Sequence, residues 1–310
     1  MTELILHHYP LSPFAEKGRL VLGYKQLAWR SVHMPPVMPK PDLLALTGGY
    51  RRAPVLQAGA DLYCDTALIC DVLEHRQGTP SLYPAEHKGL ARILAQWADS
   101  TLFWAAMAYA FQKPGLADLF GAQPAVGQAF GEDRARMSAG LVRLRSVDAT
   151  SALKSYLRRL SETLDHAEWL VGEVPSLPDF SAYHPLWFCR VRTPSLAGIF
   201  EPFPSVRAWM DRMAAIGHGQ AQELSAADAI AVAAAAEPLP VAGDTFQDDH
   251  GIALGSRVTI AAESFGPETS EGELVAATRM HYTLRREDPR AGTVHVHFPR
   301  VGYVLRRAES

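Results

Sequence analysis

The amino-acid sequence predicts three successive units of different class: an α/β unit, an all-helical unit and a small C-terminal all-β barrel or sandwich. Three observations predict it. Over residues 1–78 short apolar runs alternate with segments of helical period, from 86 to 236 the period is nearly all helical, and after 244 it becomes two residues. Breakers stand at both changes, Gly78-Thr79-Pro80 at the first and Pro238-Leu239-Pro240-Val241-Ala242-Gly243, a semi-rigid linker, at the second. The length of 310 residues also exceeds what a single hydrophobic core usually organises.

In chain order, Leu4-Ile5-Leu6-His7-His8-Tyr9 reads as a buried strand, and residues 15–26 as a helix with Leu20, Val21 and Tyr24 on its buried face. Ser12 before Pro13 has the form of an N-cap with proline in the first turn. Pro54 interrupts Ala53-Pro54-Val55-Leu56 and so fits a bend or an edge better than a central strand. After a turn at Gly59 and the run Leu62-Tyr63-Cys64, Asp65 or Thr66 opens a helix that buries Leu68, Ile69, Val72 and Leu73. The first unit thus reads β-α-β-α-β-β-α. In the second, residues 91–111, 152–170, 176–190, 205–216 and 226–236 are helical. Residues 112–128, with Pro114, Gly115, Gly121, Pro124 and Gly127, read as a loop over a cleft. Ser176 and Asp179 have capping-box spacing, which gives Asp179 a folding role rather than a chemical one.

Beyond 244, residues 257–260, 272–276, 281–285, 293–298 and 303–305 alternate as strands, with Gly266-Pro267, Asp288-Pro289 and Gly292 as turns. With the linker before it, the 244–310 unit is expected to fold autonomously. A net charge of −3 and a pI near 6.5 argue against nucleic-acid and membrane-surface binding. No apolar run reaches 18 residues and no secretory leader pattern opens the chain, so the expected location is the cytoplasm. Three cysteines suit a reducing compartment, and Cys64 and Cys70 lie on an apolar pattern that makes them buried thiols.

Three blocks together resemble the glutathione transferase superfamily: Ser12-Pro13-Phe14-Ala15-Glu16-Lys17, Ala53-Pro54-Val55-Leu56 through Asp65-Thr66, and Ser176-Leu177-Pro178-Asp179. The first block is similar to the serine-using tau-like classes, and to omega-like classes with cysteine replaced by serine. The resemblance covers residues 1–236 and implies a thioredoxin-like domain over 1–78 and an all-helical transferase domain over 86–236. It says nothing of 244–310. It further implies a homodimer that conjugates glutathione, as co-substrate and with no resident cofactor, to a small hydrophobic electrophile. The alternative is a non-catalytic binding or assembly protein with the β unit as its docking part.

Residue by residue, the resemblance makes Ser12 the hydroxyl that stabilises the glutathione thiolate. It assigns Val55 to backbone pairing with the cysteinyl part, and Asp65 with Thr66 to the γ-glutamyl end. The family's usual pair is Glu-Ser, so Asp-Thr is a conservative departure. Arg52 falls where tau-like members carry a lysine that pairs with the glycine carboxylate, and Lys40 matches a second such lysine with a one-residue gap. Phe103, Met107 and Phe111 form a helical stripe that reads as core. His295 and His297 share a strand face that His281 joins across a hairpin, but without Cys or carboxylate spacing. The reading is an exposed polar face and no metal site.

Overall fold

The computed structural model describes residues 2–142, 144–241 and 246–308. The end of the expected linker, Ala242 and Gly243, and the expected start of the β unit at Asp244 lie outside them.

The first unit follows the predicted order: β1 (Ile5–His8), α1 (Pro13–Tyr24), β2 (Ala28–His33), α2 (Pro41–Thr47), β3 (Val55–Ala58), β4 (Asp61–Cys64) and α3 (Thr66–Arg76). β1 pairs in parallel with β2, and β3 runs antiparallel to both β1 and β4. The second unit is helical: α4 (Lys88–Trp97), α5 (Phe103–Ala110), α6 (Lys113–Phe120), α7 (Pro124–Met137), α8 (Ser146–Leu164), α9 (Leu177–Trp187), α10 (Pro204–Ala215) and, after β5 (Gln220–Glu223), α11 (Ala226–Ala234). A π-helical stretch, Ala98–Leu102, joins α4 to α5.

Residues 112–128, expected as a loop, are mostly helix. Pro114 and Pro124 sit in the first turns of α6 and α7, where a missing N–H costs nothing, so both prolines start helices rather than break them. Asp179 has the structural role read from its spacing. Its carboxylate accepts from the Ser176 N–H at 3.0 Å, the Leu170 N–H at 2.9 Å and the Trp209 indole at 2.9 Å. The first two units are joined by a buried cation, Lys17, whose Nζ lies 2.6 Å from Asp99; the same carboxylate bonds His184 of α9 at 3.0 Å.

The last unit has the five expected strands: β6 (Arg257–Ala262), β7 (Ser270–Ala277), β8 (His281–Asp288), β9 (Gly292–Pro299) and β10 (Tyr303–Arg307). Its successive strands β6 to β9 form an antiparallel meander, and β10 returns to pair with β6. It is not set apart, however. β9 pairs in parallel with β4, so all strands belong to one ten-stranded sheet of order β10-β6-β7-β8-β9-β4-β3-β1-β2-β5. One apolar core runs across the seam, containing Leu43, Leu46, Tyr50, Val55 and Leu62 with Val258, Leu284, Val294, Val296 and Phe298. The autonomy expected from the linker is therefore not what the chain adopts. So small a unit leaves an edge and a face of its strands uncovered; β4 pairs with the edge, and α2 and α11 pack against β9.

Two polar anchors fix this packing. Arg286 of β8 donates to the carbonyls of Ala45 and Leu46 at 3.1 and 3.3 Å, the C-terminal end of α2 where a cation is favoured. Ser270 of β7 accepts from the Tyr50 N–H at 3.0 Å and donates to the Thr47 carbonyl at 2.8 Å. Gly49 is required there, because a Cβ would lie 1.8 Å from the Thr269 carbonyl oxygen.

Candidate functional site

Strand direction gathers the site. β1 ends at His8, β3 begins at Val55 and β4 ends at Cys64, and β3 is antiparallel to its two neighbours. The Tyr9–Ser12 turn, the cis Ala53–Pro54 bond and the Asp65-Thr66 pair thus emerge at the same end of the sheet. Two helices start there, so two sets of unpaired backbone N–H groups and two positive dipole ends face one cleft.

Ser12 caps α1, and its Oγ accepts from the Ala15 N–H at 3.2 Å. It is buried, and its own O–H meets no acceptor among the described residues. Asp65 caps α3 by accepting from the Ala67 N–H at 3.0 Å. Its backbone sits at φ 75°, a left-handed conformation that costs a non-glycine residue about 1–3 kcal/mol and recurs at functional sites. Thr66, first residue of α3, is buried and its Oγ1 has no hydrogen-bond partner. Serine, aspartate and threonine are thus brought to one end of the fold.

The other three expected residues are placed differently. Val55 is fully buried, opposite His7 on one side and Cys64 on the other, so the half-buried residue at the mouth of the cleft is Ala53. Lys40 is buried, with its Nζ 5.6 Å from the ring centre of Tyr9. Its Nζ donates to the Arg51 carbonyl at 2.9 Å, and burial, with Arg134 and Arg51 nearby, lowers its pKa to about 7 against the opposing pull of Asp133 and Glu268. Arg52 is at the cleft but is already engaged. Its Nη2 donates to the Tyr303 hydroxyl and lies 3.5 Å from Asp65 Oδ2, and its guanidinium lies 5.2 Å from the ring centres of both Tyr50 and Tyr303. Burial acts to lower its pKa, but Tyr303, Tyr50 and Asp65 outweigh that and raise it, so Arg52 stays cationic.

Tyr303 belongs to β10 and was not legible as a site residue. Its hydroxyl also donates to Asp65 Oδ2 at 3.1 Å. The β6–β7 loop reaches the same cleft. Phe265 packs edge-on against Trp104 of α5 with ring centres 5.2 Å apart, and Gly266 donates to the Met137 carbonyl at 2.8 Å. Gly266 has φ 67°, and a Cβ there would lie 2.8 Å from the Met137 methyl carbon. Glu268 accepts from Arg51, which also binds Asp133 of α7 at 2.6 Å. The rim of the cleft is therefore built by all three units. Phe103 and Met107 are core, as their spacing suggested.

Cys64 and Cys70 are buried thiols, as read from their pattern, and burial raises the pKa of both, that of Cys70 to about 12. His295 and His297 do not form an exposed face. Both are buried, because β9 is covered by β4, and Asp61 of β4 stands beside them. The missing carboxylate lies more than 230 positions earlier in the chain, out of reach of any spacing argument.

Comparison with known proteins agrees with this architecture. Residues 6–81 match the glutathione S-transferase N-terminal domain family and residues 132–212 the corresponding C-terminal domain family. The crystal structure of a GST-like protein from Pseudomonas syringae is 43% identical and covers 99% of this chain and 100% of its own, with a TM-score of 0.83. The Tau class glutathione S-transferase of mango, Mangifera indica, covers 69% of this chain and 89% of its own with a TM-score of 0.52; at 16% identity that likeness shows the fold alone. FtsZ-localized protein A of Caulobacter vibrioides is 26% identical over 200 residues, 58% of this chain and 74% of that protein. No described helix is long and apolar enough to cross a membrane. With its paired domains, its cis-proline turn and a relative similar along nearly its whole length, the chain belongs to the glutathione S-transferase superfamily.

Proposed function

We propose that the protein binds glutathione where α1 and α3 begin and transfers its thiolate to small hydrophobic electrophiles. The observation that carries this reading is Thr66. A buried hydroxyl without a partner, at the first residue of an 11-residue helix, is costly unless a ligand completes it. A carboxylate suits that position by charge and by donor geometry, and the γ-glutamyl end of glutathione carries one. Asp65 beside it takes the amino group. Ser12 turns its free O–H toward the sulfur.

The magnitudes are adequate. Bringing a thiol pKa from about 8.5 to about 6.5 takes roughly 2.7 kcal/mol. One hydrogen bond to a charged sulfur contributes about 1.5–3 kcal/mol and a helix N-terminus about 0.3–1 kcal/mol. Serine forms no mixed disulfide, so conjugation rather than thiol transfer is the reaction class. The electrophile lies against the Trp104–Phe265 pair. The same reading makes the protein a cytoplasmic homodimer without nucleic-acid or membrane partners, supported by its net charge of −3 and its buried free thiols.

A second reading, a binding or assembly protein without catalysis, is favoured by one observation: Asp65 already holds Tyr303 and lies beside Arg52. The relative named as FtsZ-localized supports a partner-binding role of that kind. Calorimetric titration with glutathione, followed by a conjugation assay with a chlorinated nitroaromatic, separates the two. Ser12→Ala is expected to lower kcat by one to three orders of magnitude with glutathione affinity preserved. Thr66→Val is expected to weaken affinity about tenfold with kcat little changed. Binding without turnover across several electrophiles selects the second reading, and no glutathione binding at millimolar concentration overturns the first.

A further inference from the structure

The geometry points to a divalent transition-metal site of the zinc class at the seam between β4 and β9, formed by Asp61, His295 and His297. The parallel ladder sets Asp61 directly opposite His295, and the two-residue strand period brings His297 to the same face as His295. One oxygen of Asp61 and one nitrogen of each histidine lie within 4.8 Å of one another. His297 Nε2 is 2.9 Å from Asp61 Oδ1, and His295 Nδ1 is 3.8 Å from the same oxygen. A tetrahedral ion with bonds of about 2.0–2.1 Å requires donor separations of about 3.4 Å, which these two distances bracket.

Three further observations separate this cluster from an ordinary buried hydrogen-bond network. His295 is buried, yet its Nδ1 has no hydrogen-bond partner and faces the Asp61 carboxylate. His297 Nδ1 lies 2.9 Å from the Thr283 hydroxyl, which can accept a hydrogen bond as well as donate one. Nδ1 can therefore keep a hydrogen toward that hydroxyl when a metal replaces the proton that Nε2 donates to Asp61. Asp61 Oδ2 accepts from the Leu239 N–H at 2.9 Å, which leaves Oδ1 as the ligand atom. Two neutral imidazoles, one carboxylate and one open position suit a zinc-class ion better than calcium or magnesium, which take oxygen donors. The ligands come from the first and last units, so the ion would clamp the two together. It lies apart from the Ser12–Thr66 cleft, and this inference does not depend on the glutathione reading.

The test uses untagged full-length protein, stripped with a chelator and titrated with Zn²⁺ alone by calorimetry and by competition with a chromophoric chelator. One equivalent with submicromolar Kd is expected, together with a raised thermal midpoint. His295→Gln leaves the Asp61–His297 bond in place, so its midpoint in chelator should match that of the parent, while Zn²⁺ affinity falls at least 30-fold. Thr283→Val should weaken binding more modestly, up to about tenfold. Co²⁺ in place of Zn²⁺ should give the intense visible bands of a tetrahedral complex. Zn²⁺ binding that His295→Gln leaves unchanged, or no binding below 10 μM, overturns the proposal. If His295→Gln fails to fold, the Co²⁺ spectrum of the parent decides, and weak octahedral bands overturn it.

Discussion

The thioredoxin-like unit has two sheet edges, and the chain covers them in different ways. Beyond β2 lies β5, four residues that are all exposed, tied in by backbone pairing, a Leu224 N–H to Ser31 carbonyl bond of 3.0 Å and an Arg30–Gln222 contact of 2.7 Å. Beyond β4 lies β9, whose last six residues, Val294 to Pro299, are buried and whose apolar side chains share a core with Leu62 and Tyr50. Both additions satisfy the unpaired groups of an edge strand. Only the second also removes apolar surface from water. Backbone hydrogen bonds recruit a strand, whereas side-chain burial determines whether the recruited piece becomes part of the cooperative fold.

Ending the chain after Ala236 is the largest perturbation this contrast suggests. It would expose Leu43, Leu46, Tyr50 and Leu62 along the seam, each worth about 1.5–3 kcal/mol when fully uncovered. Their sum approaches the ~5–15 kcal/mol that holds an average domain together. The truncated protein is expected to aggregate or to lose cooperative unfolding, read by light scattering and calorimetry. A soluble, monodisperse fragment with an unchanged thermal midpoint would mean that the two edges are equivalent after all.

Tyr303→Phe examines how far β10 reaches into the cleft. If glutathione binds as proposed, the Tyr303 hydroxyl competes for Asp65, and its removal should tighten glutathione binding roughly fivefold, about 1 kcal/mol. Weaker binding would instead make Tyr303 a contributor to the site. The smallest effect belongs to the β5 edge. Ladder donors alternate along a strand, so one of Ala221→Pro and Gln222→Pro must remove a donor to β2. That variant should lose no more than about 1–2 kcal/mol and leave glutathione affinity unchanged.

Local chemistry made a good part of this molecule legible. The Ser12-Pro13 cap, the Asp65-Thr66 helix start, the Ser176–Asp179 capping box and the five strands after 257 are each written in residues a few positions apart, and each is present. The same locality misled at 112–128, where proline and glycine punctuate a loop and open a helix with equal ease. Nor does it show that the neighbours of Val55 on both sides come from other strands. Tyr303, Phe265 and Asp61 carry no local signal at all. What makes them interesting is a residue some 160 to 240 positions away.

Period, caps and breakers by themselves determined the class of each unit and the helix starts at the cleft, and three short motifs carried the resemblance to the superfamily. Those properties depend on interactions between residues within a turn or two, which a sequence displays directly. Only the tertiary structure decided that the last unit joins the first in one sheet, that a tyrosine from the final strand meets Asp65, and that two histidines find a carboxylate. Strand pairing across a seam depends on which apolar faces remain uncovered once everything else has packed. That is a property of the whole surface, and no window of sequence contains it.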